Sequence, residues 1–168
     1  DRLSWLDPCC GGDKDNEPTY LKIIQEEFDP QDVCGIDIRE DAKADVFMDY
    51  LSAEKEYMSE HDIIISNPPF FLAEEFIRKS LEFVKEGGYV IFLLRLNFFG
   101  SKQRKPLFEE FMPQSCYIHH KRINFIPDSM KEAMKNRGEK VPSGDSIEYA
   151  HFVWKKGEYS NHCKTFVI

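Results

Sequence analysis

No apolar run in these 168 residues approaches the roughly 20 that a membrane-spanning helix needs. The start, Asp1-Arg2 followed by strand-like Leu3-Ser4-Trp5-Leu6, lacks the basic-then-apolar layout of a secretory signal. Cysteine is unpatterned. The five thiols, Cys9, Cys10, Cys34, Cys116 and Cys163, are odd in number and have no CxxC spacing, which argues against a disulfide framework or a zinc site. No metal is expected, and reduced thiols in a soluble, cytoplasmic protein are. The adjacent Cys9 and Cys10 read as small neutral residues of a tight loop, not as reactive thiols. Internal repeats and low-complexity tracts are also missing.

A composition of 42% hydrophobic and 31% charged residues suits a single globular domain over 1–168. The net charge of −8 is unevenly spread. Residues 1–98 carry 10 basic and 22 acidic side chains, a net −12, whereas 99–168 carry 12 and 8, a net +4. An acidic chain binds nucleic acid poorly without a local surplus of Lys and Arg to neutralise phosphates. The basic second half leaves that partner class open.

Apolar strand-like runs alternate with helical periodicity, the pattern of an α/β domain with a doubly wound, mostly parallel sheet. Leu3–Leu6 predicts a first strand and Val33–Ile38 a second, with a helix after Pro18 whose Tyr20, Leu21, Ile24 and Phe28 share a face. Val46–Met48 and His61–Ser66 predict the third and fourth strands. A helix over Ala73–Lys85 is expected to stop at Gly87-Gly88, before a fifth strand, Tyr89–Leu96. A helix near Lys105–Met112 and strands at Tyr117–Phe125 and Glu148–Trp154 complete a count of seven strands. The polar segment 127–146, with Lys131, Lys135, Arg137 and Lys140, separates the last two. A long polar loop in a compact domain is often functional, and this insert reads either as a solvated loop or as a clamp that faces the substrate, the clamp being the expectation.

Three constellations carry chemistry. Leu6-Asp7-Pro8-Cys9-Cys10-Gly11-Gly12-Asp13 is a strand followed by a glycine turn, placed where open sheets bind nucleotide-like cofactors. Asp37, in Gly35-Ile36-Asp37-Ile38, follows Gly11 by 26 residues and is spaced to accept hydrogen bonds from ribose hydroxyls. Asp49, before Tyr50, is placed either to accept from an adenine amino group or to cap a helix. The most specific signal is Ser66-Asn67-Pro68-Pro69-Phe70. Two prolines after a buried strand fix two φ angles and remove two donors, leaving the Asn67 amide and the Pro68 carbonyl in a rigid acceptor geometry.

At these residues the chain resembles the Rossmann-like S-adenosylmethionine-dependent methyltransferases, specifically the amino-methyltransferases whose signature is Asn/Asp/Ser-Pro-Pro-Tyr/Phe/Trp. The motif order is similar to that of gamma-type DNA adenine-N6 methyltransferases. The resemblance implies a seven-stranded sheet with its last strand antiparallel. It implies S-adenosylmethionine as cofactor, held by Asp7, Pro8, Cys9, Gly11, Gly12, Asp37, Ile38, Asp49, Tyr50 and Asn67. Asn67, Pro68, Pro69 and Phe70 would form the catalytic loop, with Phe70 stacking on a flipped base. Gly11-Gly12-Asp13 departs from the family's Gly-X-Gly. Only six residues precede the loop, where the family usually has a covering helix, and the family's separate target-recognition domain has no counterpart.

The expected reaction is methyl transfer to the exocyclic amino group of adenine in DNA. RNA adenine or a protein glutamine are the alternatives, and a cofactor-binding subunit relying on a protein partner for target recognition is a third. No membrane partner is expected. His119 and His120 read as structural or surface residues, and no strong general base stands out.

Overall fold

In the computed structural model, which describes residues 2–144 and 146–168, the chain runs through twelve main elements. They are β1 (Ser4–Asp7), α1 (Thr19–Glu27), β2 (Asp32–Asp37), β3 (Val46–Phe47), β4 (His61–Ser66), α2 (Ala73–Phe83), β5 (Val84–Arg95), α3 (Lys105–Glu110), β6 (Ser115–Ile118), α4 (Asp128–Asn136), β7 (Tyr149–Lys155) and β8 (Lys164–Val167). The strands make one sheet in the order β3-β2-β1-β4-β5-β7-β6-β8. All run parallel except β7, which is antiparallel to both β5 and β6.

Side-chain alternation along the strands divides the core. Leu6, Ile64, Val90, Phe92, Phe152 and Trp154 point to one face, where Phe76, Ile77 and Leu81 of α2 and Leu107 of α3 close over them. Trp5 and Ile63 point to the other, beneath Ile24 and Tyr20 of α1. Helices on both faces make the sheet doubly wound. The two tryptophans thus lie in different layers, and Trp154 is anchored by an Nε1–H donated to the Phe111 carbonyl at 2.9 Å.

Three differences from the sequence reading have physical causes. The sheet has eight strands and not seven, because Lys164–Val167 pairs parallel with β6. All four of its residues are exposed, so it has no buried face to give a period-two signal. Helix α2 ends at Phe83 and not at Gly87-Gly88. The chain enters β5 at Val84, which pairs with His61, and the register shifts before Ile63. Gly88 serves that irregularity: a Cβ there would lie 2.6 Å from the Asp62 carbonyl oxygen, so the glycine marks a strand distortion and not a helix stop. The expected strand 117–125 is reduced to β6, which ends at Ile118, and the insert contains α4.

Candidate active site

The carboxyl ends of β1, β2 and β4 meet where the strand order reverses about β1, the position at which open α/β sheets form a crevice. The glycine loop is held there by its own backbone. Cys10 N–H donates to the Ile36 carbonyl at 2.9 Å, and the Gly11 carbonyl accepts from Lys43 N–H at 3.2 Å. Gly11 and Gly12 take φ values of 71° and 77°, the left-handed region that glycine enters without strain. Gly35 of β2 lies so close that a Cβ on it would meet Leu21 Cδ1 at 2.5 Å and Cys10 Sγ at 3.1 Å.

Two buried carboxylates organise this end of the sheet. Asp7 Oδ1 accepts from Ser66 Oγ at 2.6 Å and from Cys9 N–H at 3.1 Å. Burial pushes its carboxyl up to about 7, against the pull of those two donors. Asp37, 2% exposed, accepts from Gly11 N–H at 2.9 Å through Oδ2 and from Arg39 N–H at 2.9 Å through Oδ1. The Arg39 side chain lies over it, with Nε 3.5 Å from Asp37 Oδ1 and Nη2 donating to the Gly12 carbonyl at 3.0 Å. Burial pushes the thiols of Cys9 and Cys10 up to about 12, which agrees with their reading as inert loop residues.

A cavity of about 1000 Å³ opens over this floor. Of the residues singled out in the sequence, Asp7, Cys9, Gly11, Gly12, Asp37 and Asn67 line it. Pro8, Ile38, Asp49 and Tyr50 do not. Ile38 is 67% exposed, and Asp49 caps a short 3-10 turn, accepting from Leu51 N–H at 3.0 Å. Tyr50 belongs to the core, its hydroxyl 3.0 Å from Ser80 Oγ and its ring stacked on Phe76.

Asn67 lines this cavity with its Oδ1 buried and without a hydrogen-bond partner among the described residues. An unsatisfied buried acceptor costs about 1–3 kcal/mol, so a native one is accounted for by an ordered water, an ion, a ligand or a catalytic role. Pro68 is buried, while Pro69 and Phe70 line a second cleft of about 410 Å³. The tetrapeptide therefore borders both spaces. The Phe70 ring packs against Tyr149 at 5.7 Å between centroids, and Tyr149 against Phe125 of the larger cavity at 5.0 Å.

The far wall comes from the end of the expected strand 117–125 and from the insert expected to face the substrate. Phe125, Pro127, Asp128, Ser129 and Lys131 line the larger cavity, and Ser129 Oγ donates to Asn16 Oδ1 of the glycine loop at 2.8 Å. Of the insert's other lysines and arginine, Lys135 and Arg137 lie at the end of α4 and Lys140 beyond it. Tyr20, also on the cavity wall, shares a 2.8 Å hydrogen bond with His151 Nε2, and His151 Nδ1 shares another of 2.8 Å with His119 Nε2. Burial lowers the His151 ring to about 4 and also lowers His119. His120 is exposed. Sequence reasoning missed Arg39, Tyr20 and His151 as site residues. Arg39 had one signal, its place two residues after Asp37; Tyr20 and His151 read as ordinary helix and strand positions.

No protein-family profile and no curated protein sequence matches the chain. Solved structures do. A Listeria monocytogenes protein assigned to the class I S-adenosylmethionine-dependent methyltransferases superposes with a TM-score of 0.65 at 15% identity, over 99% of this chain and 58% of that one. A Pyrococcus horikoshii protein assigned as an RNA methyltransferase gives 0.62 at 17%, over 92% and 75%. The M. jannaschii tRNA m1G37 methyltransferase gives 0.56 at 16%, over 94% and 45%. This chain has the class I methyltransferase fold, and it spans about three fifths of the Listeria protein.

Proposed function

We propose that this protein binds S-adenosylmethionine in the larger cavity and methylates the exocyclic amino group of adenine in a polynucleotide, DNA first. The observation that carries the reading is Asn67 Oδ1, buried without a hydrogen-bond partner among the described residues, on a residue lining a cavity floored by a glycine loop and two carboxylates. These residues suit the cofactor. Each oxygen of the Asp37 carboxylate can accept more bonds than it holds, and ribose hydroxyls would reach it once Arg39 swings aside. Gly11 and Gly12 allow close approach of the backbone.

When bound, the cofactor supplies a sulfonium methyl group, an already activated electrophile. The protein's task is alignment and charge stabilisation. An adenine amino nitrogen has its lone pair conjugated into the ring. Asn67 Oδ1 and the Pro68 carbonyl, each accepting one N–H, would draw that nitrogen toward a tetrahedral, nucleophilic form. Phe70 offers a ring face to the extruded base. With burial keeping His151 and His119 neutral at pH 7, no strong base is invoked, and the surplus proton leaves to solvent after transfer. The insert, tied to Asn16 through Ser129, forms the outer wall against which substrate would enter.

RNA is the second reading, favoured by the names of the Pyrococcus and M. jannaschii neighbours. The deciding experiment is transfer of radiolabelled methyl groups from S-adenosylmethionine to unmodified DNA, RNA and protein side by side. Label appearing as N6-methyladenine in DNA supports the first reading, and in RNA the second. Label only in protein glutamine overturns both.

A further inference from the structure

The second cleft differs from the rest of the surface in charge. Acidic side chains outnumber basic ones 30 to 22 in the protein, yet among the described residues no acidic one lines this cleft, whose walls include Arg95, Arg104 and Asn97. Arg2, Arg39, Arg78 and Arg137 are each paired with a carboxylate. Arg104 is fixed, its Nη1 donating to the Phe98 carbonyl at 2.9 Å and its guanidinium 4.4 Å from the Phe98 ring centre. The guanidinium of Arg95 has no hydrogen bond or ion pair among the described residues. It rests over the Phe70 ring, 4.9 Å from its centre. Beside it Phe71 is 83% exposed, with most of its ring open to solvent.

An unpaired guanidinium fits the oxygens of a phosphodiester, and an exposed aromatic ring is a stacking platform for any base. We infer that this cleft is a nucleotide subsite next to the methylation site. Arg95 takes the phosphodiester adjoining the acceptor nucleotide, and Phe71 stacks on the neighbouring base. Arg104 adds fixed positive charge at its back. The inference rests on the polynucleotide reading above and adds a coupling to it. When the Arg95 guanidinium turns to phosphate, it uncovers the ring of Phe70, so capture of the backbone frees the surface on which the acceptor base stacks.

The test uses an adenine-containing oligonucleotide, as single strand and duplex, with wild type, Arg95→Ala, Arg95→Lys and Phe71→Ala. Binding is read by fluorescence anisotropy over a salt series, methyl transfer by KM and kcat, and S-adenosylmethionine affinity by calorimetry. Arg95→Ala should weaken oligonucleotide binding and make the log–log salt dependence shallower by about one charge. Arg95→Lys should restore that slope. Phe71→Ala should weaken binding about tenfold without changing the slope. Cofactor affinity should stay level in all three. If wild type methylates the oligonucleotide and Arg95→Ala shows the same KM and salt slope, the subsite is wrong and the adenine reading stands. If wild type neither binds nor methylates any polynucleotide while methylating protein, the adenine reading falls and the subsite with it.

Discussion

The Ser66 hydroxyl donates to Asp7 Oδ1 at 2.6 Å across 59 residues of sequence, joining the last residue of β1 to the last residue of β4. This bond sets the foot of the glycine loop against the start of the Asn67–Phe70 loop. It also lowers the affinity of a buried carboxyl for its proton.

The Asp7 proton has a measurable signature. Its carboxyl titrates near 7 in the fold against an ordinary 3.8, so the linked stability is complete below 3.8 and is lost as pH rises toward 7, at up to about 1.4 kcal/mol per unit. His151 has the opposite sign. Its ring falls from 6.5 to about 4, so stability rises with pH across that window as the unfolded chain's proton is no longer needed. The lowered His61 and His119 act in the same direction. Asp7→Asn should therefore steepen the rise of unfolding free energy between about pH 4 and 6.5 by about one proton, and His151→Asn should flatten or reverse it. Denaturant titrations at stepped pH measure both, and parallel wild-type and Asp7→Asn profiles would place Asp7 as ionised in the fold.

Asp37→Ala should weaken S-adenosylmethionine binding about tenfold to more than a hundredfold, the loss of a buried acceptor for hydroxyl groups. It should also lower the melting temperature, since the Gly11 and Arg39 amides lose their acceptor as well. Asp37→Asn keeps one acceptor oxygen and should recover stability more than affinity. Calorimetry with thermal melts separates the two effects, and unchanged affinity in a folded Asp37→Ala protein would remove this residue from the site.

Asn67→Ala should reduce the rate of methyl transfer about 100- to 1000-fold, by comparison with loss of one oxyanion-hole donor at about 2.7–4 kcal/mol. Cofactor affinity should shift only a few-fold. Because Asn67 Oδ1 makes no hydrogen bond among the described residues, the melting temperature should not drop. Phe70→Ala should act mainly on substrate binding, with Phe70→Trp or Phe70→Tyr restoring much of it. Single-turnover rates decide; a wild-type rate in Asn67→Ala would make this loop a structural turn.

Gly35→Ala should destabilise the protein by about 1–3 kcal/mol through overpacking, because the new methyl group would meet Leu21 Cδ1 at 2.5 Å. Adding Leu21→Ala makes room for it. The double variant should be more stable than the sum of the two single losses predicts, as read by urea denaturation.

Where the sequence was legible, the reason was periodicity or chain stiffness. The apolar centre of β4 and the 3.6-residue stripe of α2 announce themselves, and two prolines after Ser66 can only break a strand. The eight-stranded outcome was not legible, because β8 is exposed on every residue and Gly88 looks the same as a helix stop until its neighbour Asp62 is in place. In the site, Asp7, Gly11, Gly12, Asp37 and Asn67 came from spacing along single loops. The length and polarity of the insert marked it out, but its tie to Asn16, the Arg39 cover and the Tyr20–His151–His119 chain arise from contacts over long sequence separations, which no local pattern encodes. Asp49 shows the converse: a spacing compatible with two roles, of which the structure displays the cap.

The two tryptophans, one buried under α1 and the other against α3's side of the sheet, give each layer its own chromophore. Trp5 touches Phe28 at 5.4 Å between ring centroids, while Trp154 stacks on Phe152 at 6.0 Å. Replacing either indole by Phe leaves a molecule whose selectively excited tryptophan emission reports one side alone. The loosening of the α1 layer can then be timed against that of the opposite layer without attaching any label.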